Sequence, residues 1–517
     1  MPKTLRIGIL VAAALSAQPA GVFEAPGAAV PQNHVDELVF ANLKKLSIPA
    51  ANLSSDAVFL RRVYLDVTGT LPTGQHAAGF LADHDPARRG ALIDRLLASE
   101  EYADYQAMKW SDLLRVKAEF PINLWPVAAE AYHHWIRDSI RQNVPYDRFA
   151  GALLTESGSN FRVPPVNFYR AMQNHEPQGI AQTVALTFMG ARAEKWPKER
   201  LAGMAAFFSK VRFKETGEWK EEIVYFDPAL RPAGAGAAIF PDGTPARLAP
   251  GQDPREVFAQ WLTAPGNPWF ARAIVNRVWS WLLGRGIIHE PDDIRDDNPP
   301  ENAELLGYLE RELTSSHYDL KHIYRLILNS TTYQLSSIPP ANHPDAAMHF
   351  AAYPLRRLDA EVLADALCQV TGTTETYSSS IPEPYTFMPD DQRSISLPDG
   401  SISSSFLELF GRPPRDTGLE SERNNRTNDA QRLHMLNSSH VQRKIQQGPK
   451  LAALMRDFRT PQELVRQVYL TILSRYPTDE EWKAVAAHAQ SGAARGQAAI
   501  VDLEWALVNS AEFEFRH

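Results

Sequence analysis

Along most of the chain, apolar residues return every three or four positions, the spacing that lines one face of a helix. Val35, Leu38, Val39, Leu43 and Leu46 begin the pattern. Ser54 and Ser55 lead into Asp56 as a cap for a helix carrying Val58, Phe59, Arg61, Arg62 and Leu65, which should end near Gly69 and Pro72. Leu92, Ile93, Leu96 and Leu97 form the next stripe, continued by Trp110, Leu113 and Leu114. Residues 128–144, 149–154 and 179–189 read as further helices, and strand-like alternation is scarce. Residues 213–252 differ: Ile223–Phe226 is followed by Pro228, Pro232, Gly234, Gly236, Pro241, Gly243 and Pro245, which predicts short extended pieces between turns. Helical spacing resumes at the Asp253–Pro254 cap pair. It covers 270–283, 302–313, 320–333, 355–370, 430–445, 461–474, 479–487 and 498–509. Residues 373–406 are rich in Ser, Thr, Pro and Gly and predict a long loop, a length that is unusual and often functional. The fold class expected is mainly α: two helical domains, 34–212 and 253–517, joined by a β/loop excursion at 213–252.

Two segments look alike. Phe59–Thr73 shares its Arg, Val-Tyr-Leu and Pro-Thr positions with Leu464–Thr478, and each precedes a helix that leads to Ser-x-x-aromatic, at Ser99–Tyr102 and Ser510–Phe513. Shared packing explains the echo, which is too irregular for a solenoid.

At the N-terminus, Lys3 and Arg6 precede an apolar run from Ile7 to Leu15, with Ser16, Ala17 and Ala20 beyond. Residues 1–20 read as a signal peptide and 21–33 as a linker, so the expected location is periplasmic or extracellular. The run is too short to span a bilayer, which takes about 20 residues, and no later segment is long enough. The net charge of -8 argues against a nucleic-acid partner. Cys368 is the single cysteine, which excludes an intrachain disulfide, a Cys-rich zinc site and covalent c-type haem through two thiols. There is no Gly-x-Ser-x-Gly elbow, P-loop or His-Glu-x-x-His.

Candidate chemistry therefore rests on charges placed against apolar patterning. Asn276 and Arg277 interrupt an apolar helix, and a buried arginine there needs a carboxylate or carbonyl. The pair reads as a structural ion pair or as an anion or sugar-acid site. Arg356, Asp359, Glu361 and Asp365 fall in one predicted helix, and Glu420, Glu422 and Arg423 open a polar cluster after the long loop. Packing of the flanking apolar faces should bring Arg356, Asp359, Glu422 and Arg423 to a shared edge. There they form a binding site if an arginine stays open, or a structural lock if every charge is matched. Asp292, Asp293, Asp296 and Asp297 are weak candidates for calcium, since hard oxygens are its ligands, although the spacing is not that of an EF-hand. His133 and His134 are adjacent on a helix, so one metal site would rarely use both. Trp110, Trp125, Trp196 and Trp219 would be sugar-stacking platforms if exposed and core residues if not.

The N-terminal half resembles the DUF1549 family, on Phe59–Asp66, Leu92–Tyr102 and Thr187–Gly190. The C-terminal half resembles the DUF1553 family, on Asn267–Trp279, Gly284–Gly286, Arg356–Glu361, Phe410–Pro413 and Trp505–Ser510. The resemblance implies a large exported protein of the planctomycete type, with unassigned chemistry. Relatives commonly carry Cys-x-x-Cys-His after the Phe-x-Gly segment; here residues 190–200 hold neither cysteine nor histidine, so a redox role implied by the relatives does not carry over. The function expected is a noncatalytic accessory or binding protein in extracytoplasmic polysaccharide or macromolecule processing, with a polysaccharide or exported protein as partner. The alternative is a hydrolase or cofactor-assisted oxidoreductase using the Arg/Asp/Glu cluster of the C-terminal domain.

Overall fold

The computed structural model describes residues 21–230, 237–458, 460–491, 494 and 496–517; the expected signal peptide at 1–20 lies outside them. Helix makes up 54% and strand 5%, so the mainly α class holds.

The first helix, His34–Leu46, buries Val35, Val39 and Leu43. Its Asn33 cap and Asp36 form a reciprocal capping box. Asp36 also accepts from Thr331 N at 2.9 Å, Thr332 N at 2.8 Å and Thr332 Oγ1 at 2.7 Å, which ties the start of the chain to residues almost three hundred positions away. The helix Asp56–Val67 is capped by Ser55, one residue before the expected Asp56, and is buried nearly all round. Its Arg61 donates to the carbonyls of Ile472 at 2.7 Å and Phe513 at 3.0 Å. Arg62 donates to Tyr333, Leu335 and His517.

The β excursion is a small antiparallel sheet. Glu222–Phe226 lies between Val211–Glu215 and the short strand Gly158–Ser159. Apolar packing is not divided there. One core runs from Val35 to Tyr353 across the excursion, and a second gathers residues from Leu358 to Phe513 with Leu65, Leu71, Tyr105 and Met108. The two look-alike segments meet through Arg61, which donates to the Ile472 carbonyl at 2.7 Å, and helix Pro461–Ile472 packs on Gly74–Ala82, which directly follows the first of them.

Three expected helices are interrupted. Residues 320–333 divide into Leu320–Leu328 and Thr331–Gln334, because Ser330 caps the second piece. Ser438 separates Asp429–Asn437 from Ser439–Gln447 in the same way. The helix expected from residue 355 begins at Ala360 with Asp359 as its N-cap residue, while Arg356 and Arg357 form a two-residue strand against Phe515–Arg516. Arg356 and Asp359 are therefore not neighbours on a helix face. The long loop is anchored rather than structureless: Asp365 accepts from Ser394 N at 2.7 Å and Ile395 N at 3.1 Å, and Ile395, Leu397 and Ile402 are buried.

Candidate functional site

Distant segments converge at the edge of the second core. Helix Glu100–Leu113 brings Tyr105, Lys109 and Asp112. The entry to helix Ala360–Thr371 brings Asp359 and Glu361, and the segment after Phe410 brings Arg412, Arg415, Glu420 and Arg423. Arg423 Nη1 donates to Glu361 Oε2 at 2.6 Å, and Nη2 donates to Glu361 Oε1 at 3.1 Å and Asp112 Oδ2 at 2.6 Å. Asp359 Oδ1 lies 3.9 Å from Arg423 Nη1. Asp112 takes Arg415 Nε on its other oxygen at 2.8 Å, and Arg412 stands 3.5 Å from Glu361. Asp359 accepts from Asn425 at 2.7 Å, Tyr105 at 2.8 Å and Arg516 at 2.9 Å.

Arg516 continues the chain of charges to Asp66 at 3.3 Å, which also accepts from Tyr333 and Tyr353 at 2.9 and 2.8 Å. Arg356 joins here, 3.5 Å from Asp66, and its Nη groups donate to the carbonyls of Trp281 and Leu282 and to Tyr353 Oη. Its close approach requires glycine at Gly284, whose left-handed backbone (φ 70°) leaves no room for a Cβ against the Arg356 side chain. Burial alone would raise the Asp359 carboxyl, but Arg516, Lys109 and Arg423 outweigh it and hold the group well below the usual carboxylate range. Burial likewise opposes the charge on Arg423, yet Glu361, Asp112 and Asp359 keep it firmly protonated. Of the four residues expected at a shared edge, Asp359 and Arg423 approach to 3.9 Å and Arg356 reaches the same network through Asp66, while Arg423 is matched by Glu361 and Asp112 rather than open.

The remaining expected residues lie elsewhere. Glu422 accepts from Thr417 N at 2.7 Å and makes no ion pair with Arg423 or Arg356 among the described residues, although Asp112 of the cluster lies within its field. Arg277 pairs with Asp292 at 2.6 Å deep in the first core and donates to the carbonyls of Leu186 and Thr187. Asn276 clasps Ile288 through its backbone N–H and carbonyl, at 2.9 and 3.0 Å. Asp293 and Asp297 pair with Arg295 at 3.1 and 2.6 Å, and Asp296 is exposed. Among the described residues no three His, Cys, Asp or Glu side chains converge as metal ligands. His133 is buried against Ser111, and burial pulls its imidazole down to about 3, so it is neutral; His134 is exposed.

The sequence reading missed Asp66, Tyr105, Lys109, Asp112, Arg412, Arg415 and Arg516. Asp66, Tyr105, Lys109 and Asp112 are polar groups beside predicted apolar stripes, which is their only local signal; Arg412, Arg415 and Arg516 lie outside every predicted helix and give none. Lys109 is distinctive. It has no ion pair or hydrogen bond among the described residues, and its ammonium lies 4.8 Å from the Tyr105 ring and 5.8 Å from the Trp281 ring. Burial lowers Lys109, while burial and Asp292 raise Glu420, which accepts from Trp281 Nε1 at 3.1 Å; both line a water-sized cavity of about 20 Å³.

Three larger clefts are open, of about 1010, 340 and 520 Å³, the last lined by Tyr64, Asp365, Cys368 and Glu375. The first, about 1010 Å³, runs between residues 192–200 and 293–297, with Phe240, Asp242 and Trp269. The Arg200 guanidinium lies 4.2 Å from the Trp196 ring and 5.7 Å from Trp269. Trp269 contacts Trp261, which stacks on Phe240 at 4.9 Å and donates to Asp242 at 3.1 Å. The second, about 340 Å³, lies between helix Pro126–Arg141 and residues 385–402. Trp125, Trp219 and Tyr385 cluster beside it, whereas Trp110 is buried.

Two family models match the chain. Residues 34–211 match PSCyt2, a protein of unknown function (DUF1549), and residues 254–489 match PSD1, a protein of unknown function (DUF1553). No curated protein and no solved structure matches it. Among the described residues no helix is long and apolar enough to cross a membrane.

Proposed function

We propose, for a chain that belongs to the two-domain DUF1549–DUF1553 family, a noncatalytic role as an exported polysaccharide-binding accessory protein. The observation that carries this reading is the 1010 Å³ cleft, in whose lining the Arg200 guanidinium lies 4.2 Å from the Trp196 ring and 5.7 Å from the Trp269 ring. Aromatic faces take the apolar faces of pyranose rings, and the adjoining Asp, Glu and Arg side chains supply hydrogen bonds to hydroxyls. The charge cluster supports the same reading, since the Arg423 guanidinium is paired with the carboxylates of Glu361 and Asp112 rather than left as an open anion site. Affinity electrophoresis against laminarin and alginate tests it: the wild type should be retarded by at least one of them and Trp196→Ala released. Equal migration of the two proteins in every gel refutes it. Export follows from Lys3, Arg6 and the run Ile7–Leu15, and N-terminal sequencing of the native protein checks it. A haem that survives acid-acetone extraction would overturn the absence of covalent haem argued from the single Cys368.

The second reading, a hydrolase using the charge cluster, is favoured by Lys109 and Glu420 at their shared cavity, since each is shifted toward neutrality as acid–base groups are. Release of reducing ends from either polysaccharide, abolished by Glu420→Gln, would establish it in place of the binding role.

A further inference from the structure

The 340 Å³ cleft under the long loop contains polar groups that the fold leaves unanswered. Asp399 is 3% exposed. Its Oδ1 accepts from Ala118 N and Ser401 N, both at 2.8 Å, while Oδ2 is buried without a partner. The Thr386 hydroxyl, in a residue 5% exposed, is also buried and unpartnered. Both residues line the cleft, and its volume lies in the range of small-molecule sites, about 300–1,000 Å³. Nearby cations are already engaged. Arg412 donates to the Asp399 carbonyl at 3.2 Å and stands 3.5 Å from Glu361, Arg415, whose field reaches Asp399, is held by Asp112 at 2.8 Å, and Arg137 by Asp104 and Glu100 at 2.5 and 2.7 Å. Glu130, also lining the cleft, is exposed and has no ion pair among the described residues. The rim is aromatic, with Phe387 75% and Tyr385 53% exposed.

We propose that this cleft binds a cationic amino sugar, its ammonium group donating to Asp399 Oδ2 and its ring face lying on Phe387 or Tyr385. The chemistry selects this class over a neutral sugar. A buried carboxylate oxygen without a donor carries a desolvation cost that a charge-assisted hydrogen bond offsets better than a hydroxyl does. Glu130 adds negative potential at the mouth, and aromatic faces attract cations as well as pyranose rings. Burial raises the Asp399 carboxyl, so a bound ammonium also holds it in the ionised form that accepts. A simple amine would meet the carboxylate but leave the aromatic rim uncovered.

The test is calorimetric titration of the full chain with D-glucosamine, N-acetylglucosamine and glucose at about pH 7, where the free amine is largely protonated. Glucosamine should bind, and the other two at least tenfold more weakly. Asp399→Asn keeps the oxygen that serves Ala118 and Ser401, so the local fold has its acceptor, and should weaken glucosamine roughly ten- to a hundredfold. Phe387→Ala, at an exposed position, should weaken it several-fold and serves if Asp399→Asn fails to fold. Three results would each overturn the proposal: glucose binding as well as glucosamine, no binding of any of the three, or full affinity in both variants. The site stands apart from the Trp196 cleft, so electrophoresis of Trp196→Ala and this titration can fail independently.

Discussion

Replacing Arg423 by glutamine tests whether the charge cluster is a lock. The side chain removed makes three hydrogen bonds, two to Glu361 and one to Asp112. Its carboxylate partners do not lose equally. Asp112 keeps Arg415 at 2.8 Å and Asp359 keeps Arg516, Tyr105 and Asn425. Glu361, whose side chain is 1% exposed, keeps only Arg412 at 3.5 Å. One buried carboxylate is therefore orphaned, and breaking one buried pair costs about 3–5 kcal/mol. For a cooperative unit of roughly 150–250 residues that corresponds to a drop in melting temperature of about 6–20 °C. Urea unfolding followed by tryptophan fluorescence reads the loss, because Trp281 is hydrogen-bonded to Glu420 beside the cluster. The double variant Arg423→Gln with Glu361→Gln removes the orphaned charge and should regain more than half of the loss. A single-variant loss below about 1 kcal/mol would place the pair among surface ion pairs and refute the lock. A double variant no better than the single would show that packing, not charge, was lost.

Asp36→Ala should destabilise by about 2–5 kcal/mol, since it leaves Thr331 N and Thr332 N without acceptors, and chemical denaturation measures it. Glu504 gives a pH signature. Burial pushes its carboxyl up to about 8, above the unfolded value of about 4.3. A raised acid contributes stability that is fully present below the unfolded value and lost as pH rises through the folded one. Stability should thus fall between about pH 4 and pH 8, and Glu504→Gln should flatten the fall. An unchanged slope in the variant would refute the assignment.

Helices were legible wherever an apolar stripe met no competing group: residues 270–283 were bounded correctly from spacing alone. They were misread where a hydroxyl inside the stripe found better use as a cap, at Ser330 and Ser438, because periodicity counts apolar positions and is blind to that competition. Arg356 was misplaced for a tertiary reason. Its two-residue strand exists only because Phe515–Arg516 lies alongside. The cluster was half legible. Charges at Asp359, Glu361 and Arg423 had to pair somewhere, but local patterning does not say that Asp112 and Arg516 arrive from the far ends of the chain. The polar floor of the loop cleft was invisible for the same reason, since Asp399 looks like any loop aspartate until its two backbone donors are seen.

The same long-range logic bears on how the two family segments depend on each other. In sequence they are separate units, 34–211 and 254–489. In space helix Pro254–Thr263 packs on Tyr146–Thr155, Phe270–Leu283 on Pro177–Met189, Ala303–Ser315 on His34–Leu46 and Leu320–Leu328 on Arg88–Leu97. Each contact buries an apolar face of one segment with a face of the other, and neither segment holds a complete first core. Separating them would expose those faces, and a contiguous apolar surface of that extent drives association rather than folding. Arg61 and Arg62 extend the dependence, since the carbonyls that accept from them belong to Tyr333, Leu335, Ile472, Phe513 and His517. Without those acceptors two guanidiniums would sit unpaired in the buried helix Asp56–Val67, at a cost of several kcal/mol. The cluster around Arg423 is a consequence of this arrangement: it forms at the seam where both segments contribute charges, and its pairing holds the seam in one register.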